Sequence, residues 1–222
     1  MNISANFAIS LDFKMTTIDG KFLPYRSQYD RDRMDIIRYD ADAILVGTNT
    51  FINDKPPLYL RNPKLIERRL VNGFKEQPYI CILTSNLDLD MVNDILIKNK
   101  NNFIFFTQSE IYDDFLEKYH AYGEVISTPC NKNGLSLKYI VEILKNKGFN
   151  KVLIECGPKL LSSFLEEDLL TELNITIFPI MIGSGRSISF HSDINGVINS
   201  NWRLKEKYIS DSEVYLVYDK VY

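Results

Sequence analysis

The stretch Val152-Leu153-Ile154-Glu155-Cys156-Gly157-Pro158-Lys159-Leu160-Leu161-Ser162-Ser163 decides the fold. Three apolar residues run into an ionisable one, then a Gly-Pro turn, then an apolar helical stretch from Lys159 to Glu166. A run this short and apolar fits a strand buried on both faces. Proline at a helix start costs little, because its missing N–H would be unpaired there anyway. A strand that turns into a helix is the repeating unit of α/β proteins. Two roles fit the turn. Gly157 allows close backbone approach to a ligand, and first-turn amides with the helix dipole hold an anion. An ordinary connection fits as well. Glu155 stands at the strand's carboxyl edge, where open α/β sheets place their ligands.

Outward from this stretch the same alternation recurs. Ala43 to Val46, Tyr79 to Leu83 and Phe103 to Phe106 are short apolar runs. Helix-like segments lie between them: Tyr29 to Tyr39 with Met34, Ile36 and Ile37; Asp90 to Lys98 with Val92, Ile95 and Leu96; Glu110 to Tyr119 with Ile111, Phe115 and Leu116; Leu137 to Lys147 with Ile140, Val141 and Leu144. Near the C-terminus, Glu172 to Phe178 alternates, with Leu173, Ile175 and Ile177 on one face. Arg203 to Ile209 and Glu213 to Asp219 flank a Ser210-Asp211-Ser212 turn, a hairpin signature. The expectation is one α/β domain over residues 1–222. Its central sheet is mainly parallel and flanked by helices, with antiparallel C-terminal strands.

Composition excludes several classes. The 222 residues carry 26 basic and 29 acidic side chains, a net charge of −3, and 45% of them are apolar. That suffices for a buried core without a disulfide or metal staple. No basic surplus exists to hold nucleic-acid phosphates. Cys81, Cys130 and Cys156 lie far apart without a C-x-x-C pair, which points to a reducing compartment and no structural zinc. His120 and His191 have no partner at metal-ligand spacing. No apolar run approaches the ~20 residues that cross a bilayer. Met1 to Leu11 lacks the basic n-region of a signal peptide. A cytoplasmic location, with neither nucleic acid nor membrane as partner, is expected. There is no G-x-S-x-G elbow.

Four further segments carry polar groups or glycine-rich turns. Gly47-Thr48-Asn49-Thr50 closes a strand and opens a helix, with Thr48 or Asn49 as its expected cap. Asp54 and Arg61 bracket a loop stiffened by Pro56 and Pro57. Ser10-Leu11-Asp12-Phe13-Lys14 leaves the strand Asn6 to Ile9, with Asp19-Gly20 as a turn. Ile182-Gly183-Ser184-Gly185-Arg186 is a glycine-rich loop without a P-loop lysine or G-x-G-x-x-G spacing.

Together these segments resemble the reductase domain of riboflavin biosynthesis, the C-terminal half of the bacterial deaminase–reductase and its stand-alone archaeal and fungal relatives. Ser10-Leu11-Asp12 is similar to the family's S/T-L-D-G-K opening. Arg38 with Ala41 to Gly47 and Thr50 resembles its L-R-A-x-x-D-A-I-L-V-G-x-x-T block. Asp54, Pro56, Leu58 and Arg61 fit D-x-P-x-L-T-x-R, and Glu155 to Leu161 fits E-G-G-P-x-L-L. Asp168 to Leu173 fits G-L-V-D-E-L, and Pro179 with Gly183 to Arg186 fits A-P-x-x-x-G-G-G-R.

The resemblance implies a dihydrofolate-reductase-like fold, a homodimer and NADPH as hydride donor to a pyrimidine ribose 5′-phosphate, whose ribosylamino group becomes ribitylamino. It places the cofactor's diphosphate on Gly157, Pro158, Lys159, Leu160, Leu161, Ser162 and Ser163. Thr50 and Asp54 fall on the nicotinamide or ribose side, and Ser85 near the adenosine. Arg38, Leu58, Arg61 and Glu155 match substrate positions, with Glu155 or Asp54 as the candidate proton donor. Phe13 stands where the family has Gly, Phe22 where bacterial members have a substrate-contacting Ser, and Cys156 where a small residue lies. Phe13 and Phe22 favour one alternative, a relative that reduces another pterin or pyrimidine, whereas intact Thr50, Asp54 and Gly157 stand against the other, a nucleotide-binding homologue without turnover. The deaminase half has no counterpart here, so the chain is expected to carry out only the reduction.

Overall fold

A computed structural model describes residues 1–17, 23, 27–85, 88–89, 93–99, 102–132, 134–155, 157–183 and 200–222. The chain divides into two compact units, Met1 with Met34–Val152, and Asn2–Arg33 with Leu153–Tyr222.

In the first unit, β2 (Ala43–Gly47), β3 (Tyr79–Thr84), β4 (Phe103–Gln108) and β5 (Gly123–Thr128) pair in parallel in that order. The sequence explains the pairing. Ile44, Leu45 and Val46 of β2, Ile80 and Ile82 of β3, and Phe103 and Phe105 of β4 are all buried. Strands apolar on both faces need cover on both, which a parallel sheet with helices supplies. Helices α2 (Thr48–Asp54), α3 (Pro63–Val71), α4 (Asn93–Lys98), α5 (Tyr112–Tyr119) and α6 (Leu137–Asn146) complete this unit, with a short hairpin, β6 (Cys130–Asn131) and β7 (Gly134–Leu135). Phe103 stacks on Phe105 at 5.4 Å, and Phe105 meets Phe115 of α5 edge-on at 5.5 Å. Gly123 opens β5 where a Cβ would stand 2.2 Å from the Phe103 carbonyl oxygen. Only glycine fits against β4 there.

The expected cap of α2 is corrected. Its N-cap is Gly47, without a side-chain bond, and the helix begins at Thr48. The Thr48 hydroxyl instead donates to the Leu83 carbonyl of β3 at 2.8 Å.

The second unit holds β1 (Asn2–Ile9), β9 (Glu172–Ile177), β10 (Asn201–Ser210), β11 (Glu213–Val221) and α7 (Pro158–Glu166). Strand β1 runs parallel to β9, β11 is antiparallel to β9, and β10 forms the expected hairpin with β11. Strand β8 (Lys151–Glu155) spans the division between the units in the chain. On β9 the buried residues are Asn174 and Thr176, whereas Leu173, Ile175 and Ile177 are half-buried. The apolar face read from alternation is therefore not the better covered one. Asn174 is retained inside because its Oδ1 accepts from Arg33 Nη2 at 3.2 Å.

Helix α1 (Gln28–Tyr39) departs further from its amphipathic reading. Ile36 is 61% exposed, while Arg33, Asp35 and Arg38 are buried. Each buried charge has hydrogen-bond partners, without which its desolvation would be prohibitive.

Candidate active site

Each unit carries its own set of polar groups. In the first, Arg38 and Asp35 both grip the stretch 59–62. Arg38 Nη1 donates to the Tyr59 carbonyl oxygen at 3.2 Å. Asp35 Oδ2 accepts from the backbone amides of Arg61 (3.2 Å) and Asn62 (3.0 Å), and Oδ1 accepts from Arg61 Nε at 3.3 Å. Leu58 and Leu60 are buried. Gln77 clamps Leu60, its Oε1 accepting from the Leu60 amide and its Nε2 donating to the Leu60 carbonyl oxygen. The Arg61 side chain is 35% exposed, whereas Asp35 is 5% exposed. Arg38 is only 3% exposed, so Arg61 is the basic group of this pair that solvent reaches. Asn62 accepts from the Lys64 amide and Pro63 fills the first turn, so the loop passes directly into α3.

Thr50 is buried in α2, and Asp54 is the last residue of that helix. Ser85 is exposed in the bend after β3.

In the second unit Glu155 ends β8, buried at 8% exposure. Gly157 is the N-cap of α7 without a side-chain bond, Pro158 sits in its first turn, and Leu161 and Ser162 are buried. Lys159 is exposed, and the Ser163 hydroxyl donates to the Lys159 carbonyl oxygen. A helix start whose N-cap is glycine suits an anionic group, because its first-turn amides and dipole favour negative charge.

The Ser10-to-Lys14 segment forms a tight loop. The Phe13 amide donates to the Ser10 carbonyl oxygen at 3.0 Å, and the Lys14 amide to Ser10 Oγ at 2.9 Å. Asp12 accepts from the Ser10 hydroxyl at 2.6 Å and from the amides of Ile182 (3.1 Å) and Gly183 (2.8 Å). The Ser10 hydroxyl, followed by the Ile182 and Gly183 amides, draws the Asp12 carboxyl pKa down to about 2. Phe13 adopts a left-handed φ of 61° and is 57% exposed. A bulky residue in that region is strained, which makes sense of glycine at the matching family position. Phe22, Cys156, His191, the Asp19-Gly20 turn and residues 184–186 of the glycine-rich loop lie outside the described residues.

A family model, the RibD C-terminal domain, matches residues 2–216. The chain belongs to that family. Its curated relatives include the 2,5-diamino-6-ribosylamino-4(3H)-pyrimidinone 5′-phosphate reductase of Archaeoglobus fulgidus, 28% identical over 82% of this chain and 81% of the relative. The riboflavin biosynthesis protein RibD of Aquifex aeolicus is 30% identical over 84% of this chain, which spans 48% of that longer protein. A pyrimidine reductase-like protein of Corynebacterium diphtheriae superposes with a TM-score of 0.86, at 23% identity, over 100% of this chain and 92% of that one. A dihydrofolate reductase of Enterococcus faecalis superposes at 0.55 and 14% identity, over 99% and 96% of the two chains. The RibD C-terminal chain thus has the dihydrofolate-reductase-like fold, and its family places it among the reductases of riboflavin biosynthesis.

The sequence singled out Arg38, Arg61, Glu155 and the α7 start. It missed Asp35 and Gln77, because an acidic residue on a charged helix and an amide in a loop read as solvated. It gave Thr48 a role as cap that the Leu83 carbonyl takes away.

Proposed function

We propose that this chain reduces the ribosylamino group of a pyrimidine ribose 5′-phosphate to ribitylamino, with NADPH as cofactor. The observation that carries the reading is the gripped loop at Arg61. A guanidinium accessible to solvent is held there by backbone and carboxylate bonds, in a chain matched to its family over residues 2–216. A guanidinium binds phosphate through parallel hydrogen bonds. Arg61 takes the 5′-phosphate, and Arg38 holds the loop from beneath. The glycine-capped start of α7, from Gly157 to Ser163, suits the cofactor's diphosphate, and Thr50, Asp54 and Ser85 follow the family's cofactor positions. Bound NADPH supplies the hydride that reaches the first carbon of the opened ribose. The chain's own task is to position the reacting groups and exclude water. Glu155, nearly enclosed at the end of β8, donates the proton to the sugar nitrogen. The working form is a cytoplasmic homodimer.

The test follows NADPH absorbance with the ribosylaminopyrimidine 5′-phosphate, and separately with dihydrofolate. Turnover of the first alone supports the reading. Turnover of dihydrofolate alone replaces it with a pterin reductase, and binding of NADPH without either turnover replaces it with a non-catalytic homologue. Glu155→Gln is expected to lower kcat by roughly 100-fold or more while NADPH binding persists. Unchanged turnover removes the proton role.

A further inference from the structure

Asp35 is a buried carboxylate that the reaction outlined above does not use. Both of its oxygens are committed to one two-residue stretch, Oδ1 to Arg61 Nε and Oδ2 to the amides of Arg61 and Asn62. The neighbouring residues are held too, Leu60 by Gln77 and Asn62 as the cap of α3. Leu58 and Leu60 point into the core, so the backbone at 58–62 has little freedom. A carboxylate spent this way orders a side chain that would otherwise sample many rotamers. Nε is the inner nitrogen of a guanidinium. A carboxylate on Nε helps to fix the plane of the group.

We infer that Asp35 is a positioning residue for the phosphate-binding face of Arg61, and so sets the preference for a phosphorylated over an unphosphorylated substrate. The inference rests on the reading of Arg61 as the phosphate ligand. Asp35 carries negative charge, which by itself repels an anion. Three N–H donors on its two oxygens absorb much of that charge, and orientation outweighs repulsion. The signs of the two effects are opposite, so experiment separates them.

The experiment measures NADPH-dependent reduction of the ribosylaminopyrimidine 5′-phosphate and of the corresponding riboside by wild type, Asp35→Asn, Asp35→Ala, Asp35→Glu and Arg61→Ala. Inorganic phosphate serves as a competitive inhibitor, and the thermal midpoint reports folding. Asp35→Ala and Asp35→Asn are expected to lower the ratio of kcat/KM for phosphate over riboside by roughly tenfold. The change falls on KM for the phosphorylated substrate, inhibition by phosphate weakens in parallel, and Asp35→Glu recovers part of the loss. Equal loss on both substrates with a lower thermal midpoint means a structural role and overturns the inference. A rise in the ratio means that the carboxylate only repels, and also overturns it. If Arg61→Ala abolishes the preference while both neutral Asp35 variants keep it, the inference fails and the phosphate reading stands. If wild type itself shows no preference, the phosphate reading fails and takes the inference with it. Asp35→Asn keeps the shape of the side chain, so the test survives if Asp35→Ala does not fold.

Discussion

Asp12 shows how much a single side chain can hold and how little of that the sequence discloses. Read alone, Ser10-Leu11-Asp12 is a polar end to a strand. Folded, the carboxylate ties together its own loop and the amides of Ile182 and Gly183, which lie 171 residues or so along the chain. Partners that far away leave no local pattern. Hydrogen bonds to the ionised form lower a carboxyl pKa, here from 3.8 to about 2, led by the Ser10 hydroxyl and then the Ile182 amide. Because the folded value lies below the unfolded one, ionised Asp12 stabilises the fold above pH 3.8. That contribution is lost as pH falls through about 2. Asp12→Asn is therefore expected to leave a shallower fall in stability on acidification across this window. Urea midpoints at a series of pH values check it, and an unchanged acid limb would show that the loop does not depend on the charge. Phe13 beside it is the counterpart case: a residue legible as a departure from glycine, whose cost appears only in its φ of 61°.

At the scale of elements, the sequence disclosed those whose period matches their burial. In α6, Leu137, Ile140 and Leu144 are buried, close to the stripe the spacing predicts, and Ser136 caps the helix. Strand β4 contains the expected aromatic and branched run Phe103 to Phe106 and continues to Gln108, and α7 begins at Pro158, one residue before the expected Lys159. Helix α3 escaped notice because Glu67, Arg68 and Arg69 break its apolar stripe, although Asn62-Pro63 is a helix start. Strand β5 was missed because it opens on Gly123 and Glu124.

Arg69 is the one buried residue of this otherwise exposed or half-buried helix, and it anchors α3 to the core. Its guanidinium is buried and donates to the carbonyl oxygens of Lys75, Tyr39 and Ala41. Tyr39 is the last residue of α1, where a helix leaves carbonyls without partners, and Ala41 follows two residues beyond it. The group thus does for α1 what a backbone cap does elsewhere, and it stacks over Phe74 at 5.3 Å. Arg69→Met removes the donors and strands several buried acceptors at about 1–3 kcal/mol each. A loss of about 3 kcal/mol or more in urea unfolding, with an unchanged m value, is the expected outcome. A loss below about 1 kcal/mol would mean that water replaces the guanidinium.

At the scale of the whole molecule, β10 poses the open question. It pairs with β11 and ends its sheet, and almost all of its residues are exposed. Leu204, Tyr208 and Ile209 are 45, 44 and 76% exposed. A long apolar edge strand invites uncontrolled pairing. Arg203, Lys205, Glu206 and Lys207 interrupt it with charge, and Lys205 pairs with Glu172 and Asp219. Charges of both signs among exposed apolar side chains suit a defined partner with complementary spacing better than open-ended stacking. A second copy of the same hairpin offers that pattern through twofold symmetry. A net charge of −3 gives little repulsion against such pairing. The chain is accordingly expected to sediment at twice its 25.8 kDa at micromolar concentration. Leu204→Lys with Ile209→Lys is expected to shift it to the monomer while far-UV circular dichroism stays the same. A wild-type monomer, or a dimer indifferent to both substitutions, would place the contact elsewhere or remove it, and would leave the exposed apolar residues of β10 as a feature of the isolated hairpin.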